Sequence, residues 1–351
     1  MKAVVKEQPG EDQMVYTEIP EPSVSGDLVK IKVAYSGICG TDIHAMQGTY
    51  PSTRPPVVLG HEFSGIVTEV GPEVRSIRVG DRVTSETTYK TCGTCSYCKS
   101  GDLNLCGSRQ GLGTNVNGSM AQYVVNHESR LHVLPSNVDL LSAALTEPLA
   151  CAVHAVIERG QVRPGDIICV FGAGAIGQMV SQVAAAQGAV VIMAGLSCDR
   201  ERLQIARSCG IHRVVDQQEE NLSEIVAAMT EGRGVDMVFE CSGAVPALNT
   251  GLEQVRKKGT VVQMGVFSNS RETIATDLIL HHEIQYMGSR SQKPSSWRLA
   301  LELMASQKIR PEKIVTNISP LEQWRTAFSL IAGGGGCKGV LQCNEGLEPA
   351  E

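Results

Sequence analysis

A glycine-rich turn near the middle of the chain constrains the fold more than any other segment. Gly172-Ala-Gly174-Ala-Ile-Gly177 follows a short apolar run that begins after Asp166. Apolar residues then recur at helical spacing as far as Gly188, so we predict a strand, a tight turn and a helix. GxGxxG alone is a weak signal, but here the amides at a helix N-terminus favour the pyrophosphate of a dinucleotide. The expected contacts are Gly172, Gly174, Ala175, Ile176 and Gly177.

Apolar segments and helical patterns keep alternating after this turn. Strands are predicted at 190–194, 214–215, 235–239 and 260–265, and a helix at about 202–209. A second helix is predicted from Asn221, because Glu224 three residues later completes a start signal. Repeated strand–helix units imply an α/β fold with a doubly wound parallel sheet that is covered on both faces.

The first 150 residues have a different pattern. Val29, Ile31 and Val33 alternate with lysines, and further short apolar runs are separated by Gly and Pro, which predicts a strand-rich domain. Beyond Gly288 the pattern becomes helix, strand, helix and strand, at 297–305, 314–316, 321–331 and 339–343. Periodicity does not decide which domain receives this tail. With 351 residues and 42% hydrophobic content, the chain can form two cores.

Charge and composition favour small-molecule chemistry. The 31 basic and 37 acidic residues give a net charge of −6, which argues against binding to nucleic acid or to an anionic membrane surface. We find no run of about 18 apolar residues and no signal-peptide pattern at the start, so we expect a cytoplasmic protein. Four of its 12 cysteines are clustered and the others lie mostly in apolar surroundings, so reduced thiols fit better than disulfides.

Four cysteines form a compact cluster. Cys92, Cys95, Cys98 and Cys106 have the spacing C-x2-C-x2-C-x7-C in a polar stretch. Four thiolates can close the tetrahedral shell of a structural zinc ion, which would fix a loop. A nucleic-acid zinc ribbon is the rival interpretation, but that design normally has two separated cysteine pairs and a basic surface.

A second group of residues has donors of mixed type. Gly60-His61-Glu62 lies between Cys39 upstream and Glu147 downstream. A thiolate, an imidazole and carboxylates can hold zinc and leave one coordination position for water or substrate, as a catalytic metal requires. The chain is therefore predicted to be an enzyme with two zinc ions, one catalytic and one structural.

These residues resemble the zinc-containing medium-chain dehydrogenase/reductase superfamily. Its signature GHE-x2-G-x5-G-x2-V is complete from Gly60 to Val74, and the four-cysteine lobe and the glycine turn match as well. The resemblance implies a GroES-like catalytic domain at 1–149, with the structural zinc lobe at about 90–107. It also implies that residues 289–351 return to that domain and that 150–288 form a Rossmann domain.

The third zinc ligand resembles that of one branch of the superfamily. Glu147-Pro148-Leu149 is similar to sorbitol dehydrogenase and its polyol relatives, which implies Cys39, His61 and Glu147 as direct ligands. Glu62 is then expected nearby, through water or by ligand exchange, because a third permanent negative ligand would blunt the Lewis acidity of zinc.

Three further roles follow from the same resemblance. It places Thr41 where the substrate proton is received and His44 at the solvent end of a proton relay. Arg290 resembles a polyol-contacting arginine, although Ser291 departs from the aromatic residue that follows it in sorbitol dehydrogenases.

The cofactor is left as NAD or NADP. The acidic residue that usually binds the ribose 2′-hydroxyl is missing from Gly195-Leu196-Ser197, and Asp199 comes slightly late. Ser197, Arg200 and Arg202 are instead candidate contacts for a 2′-phosphate.

The expected reaction is reversible oxidation of a secondary alcohol of a polyol to a ketone, by a homodimer or homotetramer. L-Threonine, a sugar phosphate and a simple alcohol are alternative substrates. A non-catalytic protein that binds zinc and nucleotide is a further alternative, but the complete set of site residues counts against it.

Overall fold

The chain folds into two compact units, and each is described by itself. In this computed structural model, residues 1–267, 269 and 271–347 are described; the last four residues of the predicted tail, 348–351, lie outside them. The first unit contains residues 1–147, 292–307 and 315–351, and the second contains 148–291 and 308–314. Among the described residues, no helix has the length and apolar character to cross a bilayer.

The described residues form the following strands and α-helices. The strands are β1 (Lys2–Lys6), β2 (Met14–Glu18), β3 (Leu28–Gly37), β4 (Val57–Val58), β5 (Glu62–Val70), β6 (Arg82–Ser85), β7 (Thr88–Lys90), β8 (Gln110–Gly111), β9 (Tyr123–His127), β10 (Leu131–Val133), β11 (Ile167–Phe171), β12 (Val190–Gly195), β13 (Arg213–Asp216), β14 (Val235–Glu240), β15 (Val255–Gln263), β16 (Gln285–Gly288), β17 (Val315–Pro320) and β18 (Lys338–Gln342). The α-helices are α1 (Gly40–Met46), α2 (Ser96–Lys99), α3 (Leu140–Ala144), α4 (Thr146–Val153), α5 (Ala175–Ala186), α6 (Arg200–Ser208), α7 (Leu222–Thr230), α8 (Val245–Gln254), α9 (Thr276–His281), α10 (Pro294–Ala305) and α11 (Trp324–Ala332).

The first unit is rich in antiparallel strands. Its largest sheet has the order β10-β6-β5-β3-β18-β17, and β9 also pairs with β3. Ile31, Phe63 and Val67 on β3 and β5 are buried in one core with Trp324 and Phe328 of α11. The last strand, β18, lies antiparallel to β3, with Val340 opposite Gly37. This pairing brings the end of the chain beside the strand that leads to Cys39.

The second unit contains a parallel sheet of order β13-β12-β11-β14-β15-β16. The strand order reverses between β11 and β14, so the predicted doubly wound α/β fold is confirmed. Asn221 caps α7 as predicted, because its side chain accepts hydrogen bonds from the amides of Ser223 and Glu224. The predictions missed α8, α9 and β16; β16 is largely exposed and therefore has no apolar run to mark it.

Candidate metal centres and dinucleotide site

The four-cysteine cluster has the geometry of a zinc site. The sulfur of Cys92 lies 3.8 Å from that of Cys98 and 3.7 Å from that of Cys106. A tetrahedral shell with zinc–sulfur bonds of about 2.3 Å has sulfur–sulfur edges of about 3.8 Å, whereas a disulfide requires about 2.05 Å. All four thiols, including that of Cys95, are free. Zinc therefore fits these residues, and disulfides do not.

Backbone hydrogen bonds favour the thiolate form of one cysteine in this cluster. Amides of Thr94 and Cys95 donate hydrogen bonds to the sulfur of Cys92, and they lower the pKa of that thiol to about 6. Metals bind the thiolate form, so this local turn stabilises the metal-binding form of Cys92 even without a bound ion.

A second cluster lies where β3, α1 and β5 meet. The ligand atoms of Cys39, His61 and Glu62 all lie within 4.8 Å of one another. Cys39 is the residue immediately before α1, and Glu62 is the first residue of β5. Gly60 turns the chain into this corner with a φ of +90°, and a Cβ there would lie 2.8 Å from the amide nitrogen of Met120. Only glycine fits this approach.

Glu147 is buried in the first turn of α4. It is not one of the three residues in the 4.8 Å group, but its negative charge acts on His61. Its Oε1 accepts a hydrogen bond of 3.2 Å from Nε2 of Gln292, a buried residue that the sequence interpretation did not consider. Gln292 therefore orients the carboxylate that the sequence predicts to be the third ligand.

A buried carboxylate that the sequence interpretation missed lies beside His61. Asp42 accepts hydrogen bonds from the amides of Cys39, at 2.9 Å, and of Gly60, at 3.2 Å. Its Oδ1 lies 3.8 Å from Nδ1 of His61, which leaves Nε2 for a metal ion. The hydroxyl of Thr41 is 3.4 Å from Nε2, so it lies on the metal-facing side of the ring. The only signal for Asp42 in the sequence is its place in the first turn after Cys39.

Glu62 forms a buried ion pair with Lys338 of β18. The same ammonium group donates a hydrogen bond of 2.9 Å to the carbonyl of Ile38. Gly37 lies directly opposite Glu62 in the β3–β5 register, and a side chain there would collide with the carboxylate. Lys338 was not expected from the sequence, because nothing local distinguishes it from a surface lysine.

The pocket carries an excess of negative charge. Burial lowers the pKa of His61, but Asp42, Cys39 and Glu147 together raise it well above its ordinary value. Burial also lowers the pKa of Lys338, and its anionic neighbours, Glu62 foremost, again give a net rise. Such a pocket favours a cation, and its sulfur, nitrogen and oxygen donors suit Zn²⁺.

Two residues with predicted roles are exposed. His44 lies on α1 three residues after Thr41, and its Nδ1 is 3.4 Å from the hydroxyl of Thr49. Arg290 lies in the second unit, beyond β16. The relay role of His44 and the substrate role of Arg290 stay predictions.

The three glycines of the turn after β11 are glycine for different physical reasons. Gly172 has a φ of +98°, and a Cβ there would lie 2.9 Å from the backbone of Ser242. A side chain at Gly177 would collide with the carbonyl of Gly172, so this glycine lets α5 pack closely on the turn. A Cβ on Gly174 would meet nothing within 4 Å, so the space above it is open. Close packing around an open backbone surface at a helix start fits a bound pyrophosphate, and Ala175 and Ile176 are the first two residues of α5.

A buried carboxylate fixes the neighbouring loop. Glu240, the last residue of β14, accepts hydrogen bonds from the amides of Ser242, at 2.7 Å, and Gly243, at 3.0 Å. It also accepts one of 2.6 Å from Nε2 of Gln263. The loop that packs on Gly172 is therefore held in place. The sequence interpretation missed Glu240, although a carboxylate at the end of an apolar strand is a usable signal.

The residues expected at the ribose lie after β12. The hydroxyl of Ser197 donates a hydrogen bond of 2.8 Å to Asp216, and Arg202 forms an ion pair of 3.2 Å with Asp199. Arg200 is the exposed first residue of α6.

Comparison with known proteins agrees with this geometry. Residues 25–136 match the family described as alcohol dehydrogenase GroES-like domain, and residues 175–306 match zinc-binding dehydrogenase. The chain is 45% identical to D-arabitol-phosphate dehydrogenase of Enterococcus avium over 98% of each chain. It is 47% identical to sorbitol dehydrogenase of Halalkalibacterium halodurans over 97% of this chain and 99% of the relative.

A solved structure is similar over nearly the full length. It is a putative zinc-binding dehydrogenase from Sinorhizobium meliloti bound to NADP, with a TM-score of 0.87 and 32% identity. The match covers 97% of this chain and 98% of that one. The GroES-like and Rossmann architecture expected from the motifs is thereby confirmed.

Replacement of one thiol of the four-cysteine cluster tests the structural metal. We expect Cys92→Ser to lower the zinc content from about two ions per chain to about one, because three thiolates no longer close the shell. Cys209→Ser, which changes a cysteine outside both clusters, should keep both ions. Elemental analysis measures the zinc, and unchanged zinc in Cys92→Ser would contradict the assignment.

Loss of the buried lysine tests the Glu62–Lys338 pair. Lys338→Met leaves a buried carboxylate without its counter-charge, and we expect the free energy of unfolding to fall by about 3–5 kcal/mol. Lys30→Met is the matched control, because Lys30 pairs with Glu69, a half-exposed carboxylate on the same strand as Glu62. That change should cost about 1 kcal/mol or less.

The double variant Lys338→Met/Glu62→Gln distinguishes the pair from simple packing. It removes the unpaired charge, so it should regain part of the lost stability. Denaturant unfolding of the zinc-loaded proteins compares the three variants with the native protein. Equal losses in the single and double variants would show that the ion pair is not the cause.

Proposed function

The chain belongs to the zinc-binding alcohol dehydrogenase family, and on that premise we propose that it reversibly oxidises a secondary alcohol of a polyol to a ketone with NAD or NADP. The observation that carries this proposal is the anionic corner that holds Cys39 and His61, on which the charge of the buried Glu147 acts, with the Thr41 hydroxyl 3.4 Å from Nε2 of His61. The substrate class is supported by the sorbitol and D-arabitol-phosphate dehydrogenases, which match nearly the whole chain.

Three residues would hold the catalytic zinc directly. Cys39 and Glu147 supply two negative charges and His61 supplies a neutral nitrogen, so the ion is formally neutralised. Glu62 is already paired with Lys338, and it stays outside the permanent shell. One coordination position then remains for the alcohol oxygen.

The residues around this position handle the proton. When bound, zinc polarises the alcohol oxygen and lowers its pKa, and the nicotinamide ring accepts the hydride. Thr41 would accept the proton of the alcohol at its hydroxyl oxygen while it releases its own hydroxyl proton, and His44 on the same helix would be the solvent-side acceptor. Asp42 places its negative charge 3.8 Å from Nδ1 of His61, the ring nitrogen that does not face Thr41.

The second unit would bind the dinucleotide at the Gly172–Gly177 turn. The open backbone over Gly174 receives the pyrophosphate, and Glu240 keeps the facing loop in position. A cytoplasmic homodimer or homotetramer and a substrate contact from Arg290 complete the proposal.

A phosphorylated polyol is the second candidate substrate. The specific observation in its favour is the D-arabitol-phosphate dehydrogenase, which is 45% identical over 98% of this chain. The zinc and dinucleotide chemistry would be the same, and only the contacts to the far end of the substrate would differ.

A substrate screen tests the proposed reaction. Zinc-loaded protein is mixed with polyols, phosphorylated polyols, L-threonine or simple alcohols, and the near-ultraviolet absorbance of the reduced nicotinamide is followed. We expect turnover with a free or phosphorylated polyol. Turnover with threonine or a simple alcohol alone would contradict the substrate class, and silence throughout in a protein that holds zinc would contradict the enzyme assignment.

Substitution of the third ligand tests the catalytic site. We expect Glu147→Ala to lower turnover by more than about a hundredfold and to reduce the catalytic zinc, while dinucleotide binding is kept. Asp42→Asn, which removes the charge beside His61 and weakens the acceptor of the Cys39 and Gly60 amides, should lose about 10–100-fold in activity or zinc affinity. Glu302→Ala, an exposed change on α10, is the control. Full activity in Glu147→Ala would overturn the ligand assignment.

A further inference from the structure

Buried polar side chains connect the third predicted zinc ligand to a neighbouring strand segment. Nε2 of Gln292 donates hydrogen bonds to Oε1 of Glu147, at 3.2 Å, and to the hydroxyl oxygen of Thr87, at 3.0 Å. All three residues are buried. An amide nitrogen has two hydrogens, so these two acceptors together determine how the side chain of Gln292 is turned.

The other side of Thr87 is held by the residues that follow the four cysteines. Nη2 of Arg109 donates a hydrogen bond of 2.6 Å to the Thr87 hydroxyl oxygen. A hydroxyl oxygen has two lone pairs, so it can accept from Arg109 and Gln292 together. The backbone amide of Arg109 donates a hydrogen bond of 3.1 Å to the carbonyl of Cys106, one of the four cysteines. A continuous series of contacts therefore runs from Cys106 to Glu147.

A second contact ties the same segment to the four-cysteine cluster. Lys293 follows Gln292 directly in the chain, and its Nζ lies 2.8 Å from Oδ1 of Asp102. Asp102 belongs to the cluster itself, since it lies between Cys98 and Cys106 in the sequence. The cluster therefore holds this segment at two successive residues.

The part of the chain that carries the four cysteines has few buried groups to fix its shape. Its helix, α2, has four residues and buries none of them. Cys106 is buried, but the other three cysteines are not. Such a segment depends on metal–sulfur bonds for a fixed conformation. The positions of Arg109 and Asp102 then depend on the structural ion.

We propose that the four-cysteine cluster holds Glu147 in place, and that Gln292 is the positioning residue through which it acts. The two metal sites are then coupled, because loss of the structural ion loosens a carboxylate of the catalytic site. Hydrogen-bond partners of a metal ligand orient it and tune the affinity for the metal. The inference rests on the proposed function, since it takes Glu147 as a ligand of the catalytic zinc.

The rate at which each zinc ion leaves the protein tests the positioning role without turnover. A chromogenic chelator is added to zinc-loaded protein, and the two ions are followed as separate kinetic phases. Cys92→Ser and Glu147→Ala, which should each lack one ion, identify the phases. We expect Gln292→Met to release the catalytic ion about 10–100-fold faster, because Glu147 loses a donor, and to affect the structural ion much less.

The matched control is Gln110→Met, the same chemical change at an exposed residue that adjoins Arg109. It should change neither phase. Equal acceleration of both phases in Gln292→Met would show general loosening of the fold and would contradict a positioning role.

Removal of the structural ion tests the coupling itself. Cys92→Ser should release its remaining ion about fivefold faster than the native protein does, as the loss of one hydrogen-bonded support would give. Arg109→Met, which keeps all four cysteines, should have a similar effect. In Gln292→Met/Cys92→Ser the ion should leave no faster than in Gln292→Met alone, because the route to Glu147 is already broken. Additive accelerations, or none in the Cys92 and Arg109 variants, would overturn the coupling.

Cobalt in place of zinc gives a spectroscopic signature of the same role. The visible bands of cobalt depend on its donor atoms and on their geometry. We expect Gln292→Met to shift the bands of the site with one thiolate and to leave those of the four-thiolate site unchanged. Unshifted bands would contradict the positioning of Glu147 by Gln292.

Failure of this inference is distinguishable from failure of the proposed function. If Glu147→Ala keeps two zinc ions, the ligand assignment fails and the inference fails with it. If Glu147→Ala loses the catalytic ion but Gln292→Met releases it at the native rate, only the inference fails.

Discussion

The buried pair of Glu62 and Lys338 is the interaction on which the catalytic site depends. The two residues lie on β5 and β18, the strands on either side of β3, and Gly37 of β3 makes room for the carboxylate. A lone buried carboxylate would be strongly destabilising, so β18 must be in place before β5 can carry Glu62 into the corner beside Cys39. Strand β18 thereby supports the corner in which the proposed metal ligands lie.

The same pair would set the charge that a bound zinc ion experiences. Lys338 cancels Glu62, so Cys39 and Glu147 would balance the dication in the proposed shell, and His61 would add no charge. A third uncancelled carboxylate would make the shell anionic and reduce the polarisation of a bound alcohol. Asp42 adds a further charge near the pocket, but it accepts hydrogen bonds from two backbone amides. The proposed site thus contains several acids and would still hold an electrophilic ion.

Sequence reasoning found what is encoded locally. The four cysteines within 15 residues, the glycine turn between β11 and α5 and the Asn221 cap depend only on near neighbours, and all appear as expected. Lys338 and Gln292 could not be found in this way, since each acts on a residue far away in the chain and looks ordinary in its own segment. Asp42 and Glu240 could be predicted only in part. A carboxylate in a first helical turn or at a strand end is a recognisable signal, but the sequence does not show which groups it binds.

The metal pocket and the segment that follows β12 differ in how many buried contacts hold them. Asp42 and Glu240 are buried carboxylates that each accept two backbone hydrogen bonds, and Glu62 is buried against Lys338, so a change in any one leaves buried groups unsatisfied. Arg200, by contrast, is exposed and has no ion pair among the described residues. The metal pocket therefore depends on buried groups that constrain one another, whereas the start of α6 is held by fewer polar contacts.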